Sequence, residues 1–395
     1  MRWIKVQEIY ADGKHNAWPD ICRWRDRYYV TFNAGGRGHA NGHSICLLSS
    51  TDGEQWEKVI EVPSMEWTIS SDATRGAMCP KLLPTDDQLI VMFYYYAPGE
   101  TNVSTKQKQH LKNRWLELNG SEQSFEHWIS HHEVSYRTAF TFTENGHTFS
   151  PPQPLFDPSW RVWRPHTFDG RHYVIGFRCH GQSWGISPEL ERMIPVADSI
   201  EMFESASLFA SEDGLQWSHV SEIGVDDNDE PDFDFTTDGK LLAVSRTGAS
   251  LSVDRPAMAY VGHPPYTDWR RLTLSAPLNS PAVRRVGDQW VVAGRGLVPG
   301  SERPAQFTPD TAFDAYGPTR LWMLDEHTGK LTEGTTLPSW GDSAYPGIEV
   351  MDDGDLLVVY YSCSETIDAN LLMGPGPLPG KYAPTSIYLA HVVMG

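Results

Sequence analysis

Apolar and polar positions along this chain fall into a unit that recurs six times: an apolar run, a turn holding Asp or Gly, and a second apolar run. The copies read DICRWRDRYYVTF (20–32), PKLLPTDDQLIVMF (80–93), HTFDGRHYVIGF (166–177), DFDFTTDGKLLAVSR (232–246), AVRRVGDQWVVAGR (282–295) and IEVMDDGDLLVVYY (348–361). Each is a β-hairpin signal, because β-branched and aromatic residues flank a turn whose Asp and Gly tolerate the dihedrals a tight reversal needs. The hairpins are spread over all 395 residues, at the intervals of a repeat architecture rather than of separate domains.

A third strand often follows each hairpin and ends in a turn of shared design. SSTDGEQW (49–56), FTENGHTF (142–149) and ASEDGLQW (210–217) all place a hydroxyl, then Asp or Asn, then Gly, then an aromatic residue. The hydroxyl and the acid or amide can cap backbone donors, Gly takes positive φ, and the aromatic ring tucks beneath the turn. Weaker echoes stand at YTDW (266–269) and DEHTGKL (325–331). The predicted fold is all-β: a single domain, residues 1–395, forming a six-bladed β-propeller of four-stranded antiparallel blades. The blades begin near residues 15, 75, 164, 230, 281 and 345, and an N-terminal strand (about 2–10) closes the last one, since propellers must hide their edges. Two stretches break the rhythm. Residues 97–135 are polar and partly helical in pattern, an insertion in blade 2 that reads as a lid over the axis or a dimer contact. Residues 298–318 form a Pro-rich loop in blade 5. Long loops in a compact body are usually functional.

Composition narrows the function classes. The formal net charge is −19, which argues against nucleic acid as a partner because phosphate binding needs a basic face. It does not exclude a small anionic ligand, which answers to a local arginine cluster. No apolar run approaches the roughly 18 residues that span a bilayer, so no membrane partner is expected. The N-terminal MRWIKVQEIY lacks a signal-peptide apolar region and reads as a strand. A cytoplasmic location is expected for the sequence as it stands, a secreted one if a leader has been removed. The five cysteines show no CxxC spacing, and buried free thiols are expected rather than disulfides or a zinc site. The acidic run DDNDEPDFD (226–234) lacks the spacing of a calcium loop, and no motif asks for a metal or another cofactor. The 15 Trp, 16 Tyr and 15 Phe suit both a β-rich core and sugar binding.

In a propeller, the loop before the first strand of a blade and the loop after its second strand open on one face beside the axis. Before the first strands stand His15, Arg75, Arg164 with His166, Glu230 and Tyr345. After the second strands stand Arg37 with His39, Tyr94 to Tyr96, Arg178 with His180, Arg246 and Arg295. Arg178, Arg246 and Arg295 fall at what look like equivalent places in three successive blades. Three guanidinium groups beside a carboxylate and a tyrosine point to an anion-binding mouth, since bidentate pairing with a carboxylate or sulfate is what guanidinium does best.

On these residues the chain resembles the sialidase superfamily of six-bladed propellers. The three turns resemble that family's Asp boxes, each one residue shorter than the common form. EPDFDFTTDGKLLAVSR resembles the segment in which a Glu begins the blade-4 inner strand and a substrate-binding Arg ends the next, which maps Glu230 and Arg246. SAYPGIEVMDDGDLLVVYY resembles the last blade, where a Tyr before the inner strand is the nucleophile, mapping Tyr345. The resemblance implies that Glu230 polarises Tyr345 for attack on an anomeric carbon. A phenol with pKa near 10 needs such a neighbouring base, and sialidases depart from the two-carboxylate rule in this way. Where the family has an opening Arg-Ile-Pro, this chain has HNAWPD with His15. Where the family has an aspartate acid/base, FNAGGRGHANGHS (32–44) offers His39 and His43. Arg295 or Arg320 would supply the third arginine. The chain is similar, too, to propellers with active-site histidines near the start, among them ulvan lyases and a rhamnosidase.

The expected function is therefore sialidase-like glycoside hydrolysis of a glycan bearing an anionic sugar. Catalytic candidates are Tyr345, Glu230, His15 and His39, with Arg246, Arg295, Arg178, Arg75, Arg164 and Arg320 as substrate-binding candidates. The first alternative is β-elimination on a uronate polymer by histidine, tyrosine and arginine, in which arginine neutralises the carboxylate while His or Tyr takes the α proton. The second is a non-catalytic glycan-binding propeller. A carbohydrate is the partner in all three, and the pattern does not specify an oligomeric state.

Overall fold

A computed structural model describes residues 1–36, 43–71, 73, 75–98, 109, 112–113, 115–117, 121–126, 134–157, 160–179, 203–224, 228–247, 256–296, 318–339, 343–363 and 384–395. Six four-stranded antiparallel sheets form the blades of a six-bladed β-propeller. Their innermost strands are His15–Trp24, Arg75–Pro84, Trp160–Phe168, Asn228–Phe235, Leu278–Val286 and Ala344–Val350. The N-terminal strand Arg2–Tyr10 is the outermost of blade 6 and pairs with the C-terminal strand Ser386–Val393, so the two chain ends close the ring and no blade is left incomplete. The inner three strands of each blade carry the apolar runs read from the sequence. They pack face to face between blades, with Val30, Phe32, Ile90, Val174, Leu242, Val292 and Val358 fully or almost fully buried.

The shared turns have the predicted local chemistry. The Ser50 hydroxyl accepts from the Gly53 amide at 2.9 Å, and Asp52 accepts from the amides of Glu54 and Gln55 at 2.8 and 2.9 Å. Ser211 and Asp213 repeat the arrangement around Gly214 at 2.9, 2.8 and 2.8 Å, and Thr143 with Asn145 does so around Gly146 at 2.9 Å for each bond. Each Gly of these turns has positive φ.

One irregularity is repeated in every blade and positions everything that follows. The pairing of first and second strands slips by one residue between Ala17 and Asp20, Met78 and Lys81, Val162 and Pro165, Asp229 and Asp232, Asn279 and Ala282, and Ala344 and Gly347. A bulge of this kind leaves one residue out of the ladder and re-aims its side chain. The residues left out are Trp18, Cys79, Trp163, Glu230, Ser280 and Tyr345. Five of them adopt left-handed backbone, with φ of 58°, 50°, 50°, 52° and 48° at Trp18, Cys79, Glu230, Ser280 and Tyr345. Each of those five is followed by proline (Pro19, Pro80, Pro231, Pro281, Pro346), whose missing N–H costs nothing at a position outside the ladder. Four of the bulged residues meet at the axis: Trp163 lies 5.7 Å from Tyr345 across the ring, and Ser280 and Tyr345 both reach Glu230.

Most of the 97–135 insertion, nearly all of 298–318, and His39 lie outside the described residues. Within the insertion, Phe125 is buried and the Trp115 indole donates to Ser124 Oγ at 2.9 Å. Cys22, Cys46 and Cys79 are free thiols, and they and Cys363 are buried. Among the described residues no helix is long and apolar enough to cross a membrane.

Candidate functional site

At the bulge level, Glu230 is the hub. It is 1% exposed and its two oxygens have separate partners. Oε1 accepts from the Tyr345 hydroxyl at 2.6 Å and lies 3.7 Å from an Arg161 nitrogen. Oε2 lies 3.1 Å from an Arg246 nitrogen and accepts from Ser280 Oγ at 3.2 Å. These four neighbours come from blades 6, 3, 4 and 5, so the site exists only when the ring is closed. Arg246 also donates to Asn279 Oδ1 at 3.4 Å. Arg295 pairs with Asn279 across the blade-5 strands, as Arg246 pairs with Asp229 in blade 4. Its Nε donates to the Ser343 carbonyl at 2.6 Å, two residues before Tyr345.

Electrostatics poise the Tyr345–Glu230 couple. Burial pushes the Tyr345 phenol well above its ordinary value, the Glu230 charge adds to that, and Arg246 opposes it. At rest, then, the phenol keeps its proton and donates it to a carboxylate. A reaction that draws electron density from the tyrosine oxygen can pass that proton along a 2.6 Å hydrogen bond.

On the blade-1 side lies a group of buried rings. His15 is 1% and His43 is 7% exposed, with ring centroids 5.8 Å apart. Trp18 lies 6.1 Å from His15 and 5.5 Å from His43. Tyr361 lies 6.0 Å from His15 and 6.2 Å from Tyr345, linking the histidines to the tyrosine–glutamate couple. His43 lies across Gly36: a Cβ there would fall 1.8 Å from His43 Nε2.

The remaining arginines are dispersed. Arg75 is half-buried at the start of its strand, its guanidinium 5.5 Å from the Tyr96 ring. Arg178 is described for its backbone, which pairs with Trp160, while Gly176 occupies the register of Arg246 and Arg295. The expected alignment of Arg178 with those two is thus corrected by two residues. Arg320 lies on the third strand of blade 5, away from the axis, 3.4 Å from Glu333 of the fourth. Arg164 stands one residue beyond the blade-3 bulge and turns away from the mouth. Its Nε donates to Asp20 at 2.6 Å, one terminal nitrogen to Asp232 at 2.9 Å and the other to the Pro346 carbonyl at 3.0 Å. It is a tie across the axis rather than a substrate ligand. The arginine that does reach Glu230 from blade 3 is Arg161, upstream of the residue where the hairpin pattern starts that blade. The Xaa-Pro pairs at 18–19, 79–80, 230–231, 280–281 and 345–346 are the sequence signal that marks the bulged ring, and they point to Trp18, Cys79 and Ser280 as well.

The opposite mouth of the axis differs in kind. There a cavity of about 840 Å³ opens between the hairpin turns of blades 1, 2 and 3, floored by Asp20, Arg164, His166, Arg284 and Glu349. Its floor is held by fixed ion pairs, Arg164 with Asp20 and with Asp232 and Arg284 with Asp232, beside which Glu349 stands; the couple of a phenol with a buried carboxylate lies at the bulge end. Among the described residues no cluster of His, Cys, Asp and Glu has the arrangement to hold a metal ion.

No family model matches the chain, and no curated protein matches it in sequence. Solved structures match in fold. A protein of unknown function from Dyadobacter fermentans superposes with a TM-score of 0.62 at 16% identity, covering 99% of this chain and 98% of that one. The Trypanosoma rangeli sialidase in complex with the inhibitor DANA superposes with a TM-score of 0.58 at 12% identity, over 96% of this chain. The same sialidase as its covalent intermediate with 2,3-difluorosialic acid gives 0.58 at 12% over 96%. The chain spans 55% and 54% of the length of those two sialidase chains. The likeness is one of fold: a six-bladed β-propeller like that of the sialidase structures, at 12% identity.

Proposed function

We propose that this chain is a sialidase-like glycoside hydrolase acting on a glycan that carries an anionic sugar. The observation that carries the reading is the 2.6 Å hydrogen bond from the Tyr345 hydroxyl to a buried Glu230 whose other oxygen faces Arg246. Tyr345 Oη attacks the anomeric carbon as its proton passes to Glu230 Oε1, and the glycosidic bond to the leaving oxygen breaks. Water then cleaves the tyrosyl–sugar bond, its hydroxyl going to the anomeric carbon and its proton to the group that had protonated the leaving oxygen, while Glu230 returns its proton to the phenolate. Arg246 and Arg295, in register on neighbouring blades, neutralise the carboxylate of the sugar. The leaving oxygen takes its proton from the blade-1 side, where His15 and His43 stand.

That histidine pair favours one second reading: β-elimination on a uronate, with His15 or His43 removing the proton α to the carboxylate. One experiment separates the readings. The protein is incubated with sialosides, uronic-acid polymers and rhamnosides, and products are followed by mass, by reducing ends and by ultraviolet absorbance. Hydrolysis yields reducing sugar without new absorbance, and Tyr345→Phe lowers it by about 100-fold or more. Elimination yields an absorbing unsaturated uronate. Saturable glycan binding without any product identifies a non-catalytic propeller. Full hydrolysis by Tyr345→Phe would overturn the nucleophile assignment.

A further inference from the structure

Arg161 has no counterpart in the expectations drawn from the sequence, yet its setting is among the most elaborate in the molecule. It is 5% exposed. Its guanidinium carbon lies 4.3 Å from the centroid of the Tyr94 ring, 5.1 Å from Trp163, 5.4 Å from Phe177 and 5.6 Å from Tyr136. One of its nitrogens lies 3.7 Å from Glu230 Oε1, the oxygen that accepts from Tyr345. Cation–π contacts strengthen in desolvated surroundings, so the rings offset part of the cost of burying the charge. They also fix the guanidinium beside the carboxylate.

We propose that Arg161 is a positioning residue for the Tyr345–Glu230 couple: a counter-ion that keeps Glu230 a carboxylate when an anionic substrate engages Arg246. The inference rests on the reading above in assigning Arg246 to the substrate. With a substrate carboxylate bound, two anions would face one guanidinium at Arg246, and a buried carboxyl answers such crowding by taking up a proton. A protonated Glu230 cannot accept the phenol proton. Arg161 balances Glu230 from the other side, so substrate binding and base strength do not compete for one cation.

Among the described residues, the charged and titratable groups facing Glu230 are Arg161 of blade 3, Arg246 of blade 4, Tyr345 of blade 6 and Cys79 of blade 2. Burial raises both the Cys79 thiol and the Tyr345 phenol. Both are neutral in acid, which leaves Glu230 as the group of this set that sets the acid limb of activity.

The test uses Arg161→Met, Arg161→Gln as a smaller polar replacement, and Arg161→Lys to retain the charge. On any substrate the wild type hydrolyses, Met and Gln should move the acid limb of kcat/KM to higher pH by about one unit, while Lys leaves it within a few tenths. The loss should fall on kcat more than on KM. A readout independent of turnover is the melting temperature of Arg161→Met, Glu230→Gln and the double variant at neutral pH. The drop caused by Arg161→Met should shrink in the Glu230→Gln background, because the partner charge has gone. An unmoved acid limb together with an equal drop in both backgrounds would overturn the proposal and reduce Arg161 to packing. Coupling in the melts without hydrolysis of any substrate would keep the Arg161–Glu230 assignment and discard the hydrolase reading.

Discussion

Glu230 and Asp232 stand two residues apart on one strand, both buried and both facing arginine, and they do opposite things. Asp232 lies one step past the bulge and is enclosed by fixed donors. Arg164 reaches it at 2.9 Å, Arg284 at 3.2 Å, His166 at 2.8 Å and the Val283 amide at 2.9 Å. These neighbours hold its carboxyl far below the usual range against the opposing effect of burial. The donors are themselves tied, Arg164 to Asp20 and Pro346 and Arg284 to the Ile348 carbonyl at 2.9 Å. Burial and the Arg284 charge lower the His166 pKa, with Asp232 opposing, so the ring is neutral at pH 7. Every partner is satisfied and none has a proton to give up. Glu230 sits on the bulge with left-handed backbone, and one of its donors is a phenol. The contrast teaches that a buried carboxylate becomes a working base when a partner's proton can move, and a structural tie when every donor is locked.

The largest effect that would sharpen this contrast is on the tie. Asp232→Ala strands Arg164 and Arg284 as buried charges without their shared acceptor, and breaking such a set costs about 3–5 kcal/mol. Chemical denaturation should show that loss at neutral pH, and it should shrink in acid. A group whose folded pKa is depressed contributes stability above its unfolded value near 4, and that contribution disappears as pH falls. Glu230→Gln should act mainly on turnover: hydrolysis down about 100-fold, with a stability loss smaller than that of Asp232→Ala because Ser280 and Tyr345 can still bond an amide and Arg246 keeps its bond to Asn279. Equal stability losses for the two variants would break the comparison.

The same pair explains what could be read from the sequence and what could not. The blades were legible because hairpin turns and alternating apolar positions are local. Glu230, Arg246 and Tyr345 were legible because they flank regular strands at the mouth. Arg164 was not: the hairpin pattern starts blade 3 near residue 164 and so sets Arg164 before the first strand, whereas that strand begins at Trp160, and the slip between Val162 and Pro165, by adding one residue, places Arg164 on the closed side. Arg161 was missed by the matching error, being upstream of the hairpin's apparent start. Arg178 was aligned with Arg246 by its place after the strand, yet the blade-3 ladder runs two residues further. In the blade-1 loop, Gly36 leaves His43 room beside Trp18 and His15, a contact between residues that no local pattern encodes.

A third carboxylate tests the comparison from the outer side of the tie. Glu349 is half-buried at the floor of the opposite cavity. Burial pushes its carboxyl up to about 7, while Arg284 and Arg23 pull the other way. Its donors are too few to hold the charge, so it behaves as neither base nor tie. For an acid whose folded pKa is raised, the stabilising contribution is complete below the unfolded value near 4.5 and is lost as pH rises through 7. Glu349→Gln, which is neutral at every pH, should therefore match wild type at pH 4 and exceed it by about 1 kcal/mol at pH 8, after allowing for solvent at a half-buried site. Denaturant melts at the two pH values measure the difference. A wild-type advantage at pH 8 would mean that Arg23 and Arg284 do hold Glu349 as they hold their other partners, and that the closed set extends to the cavity floor.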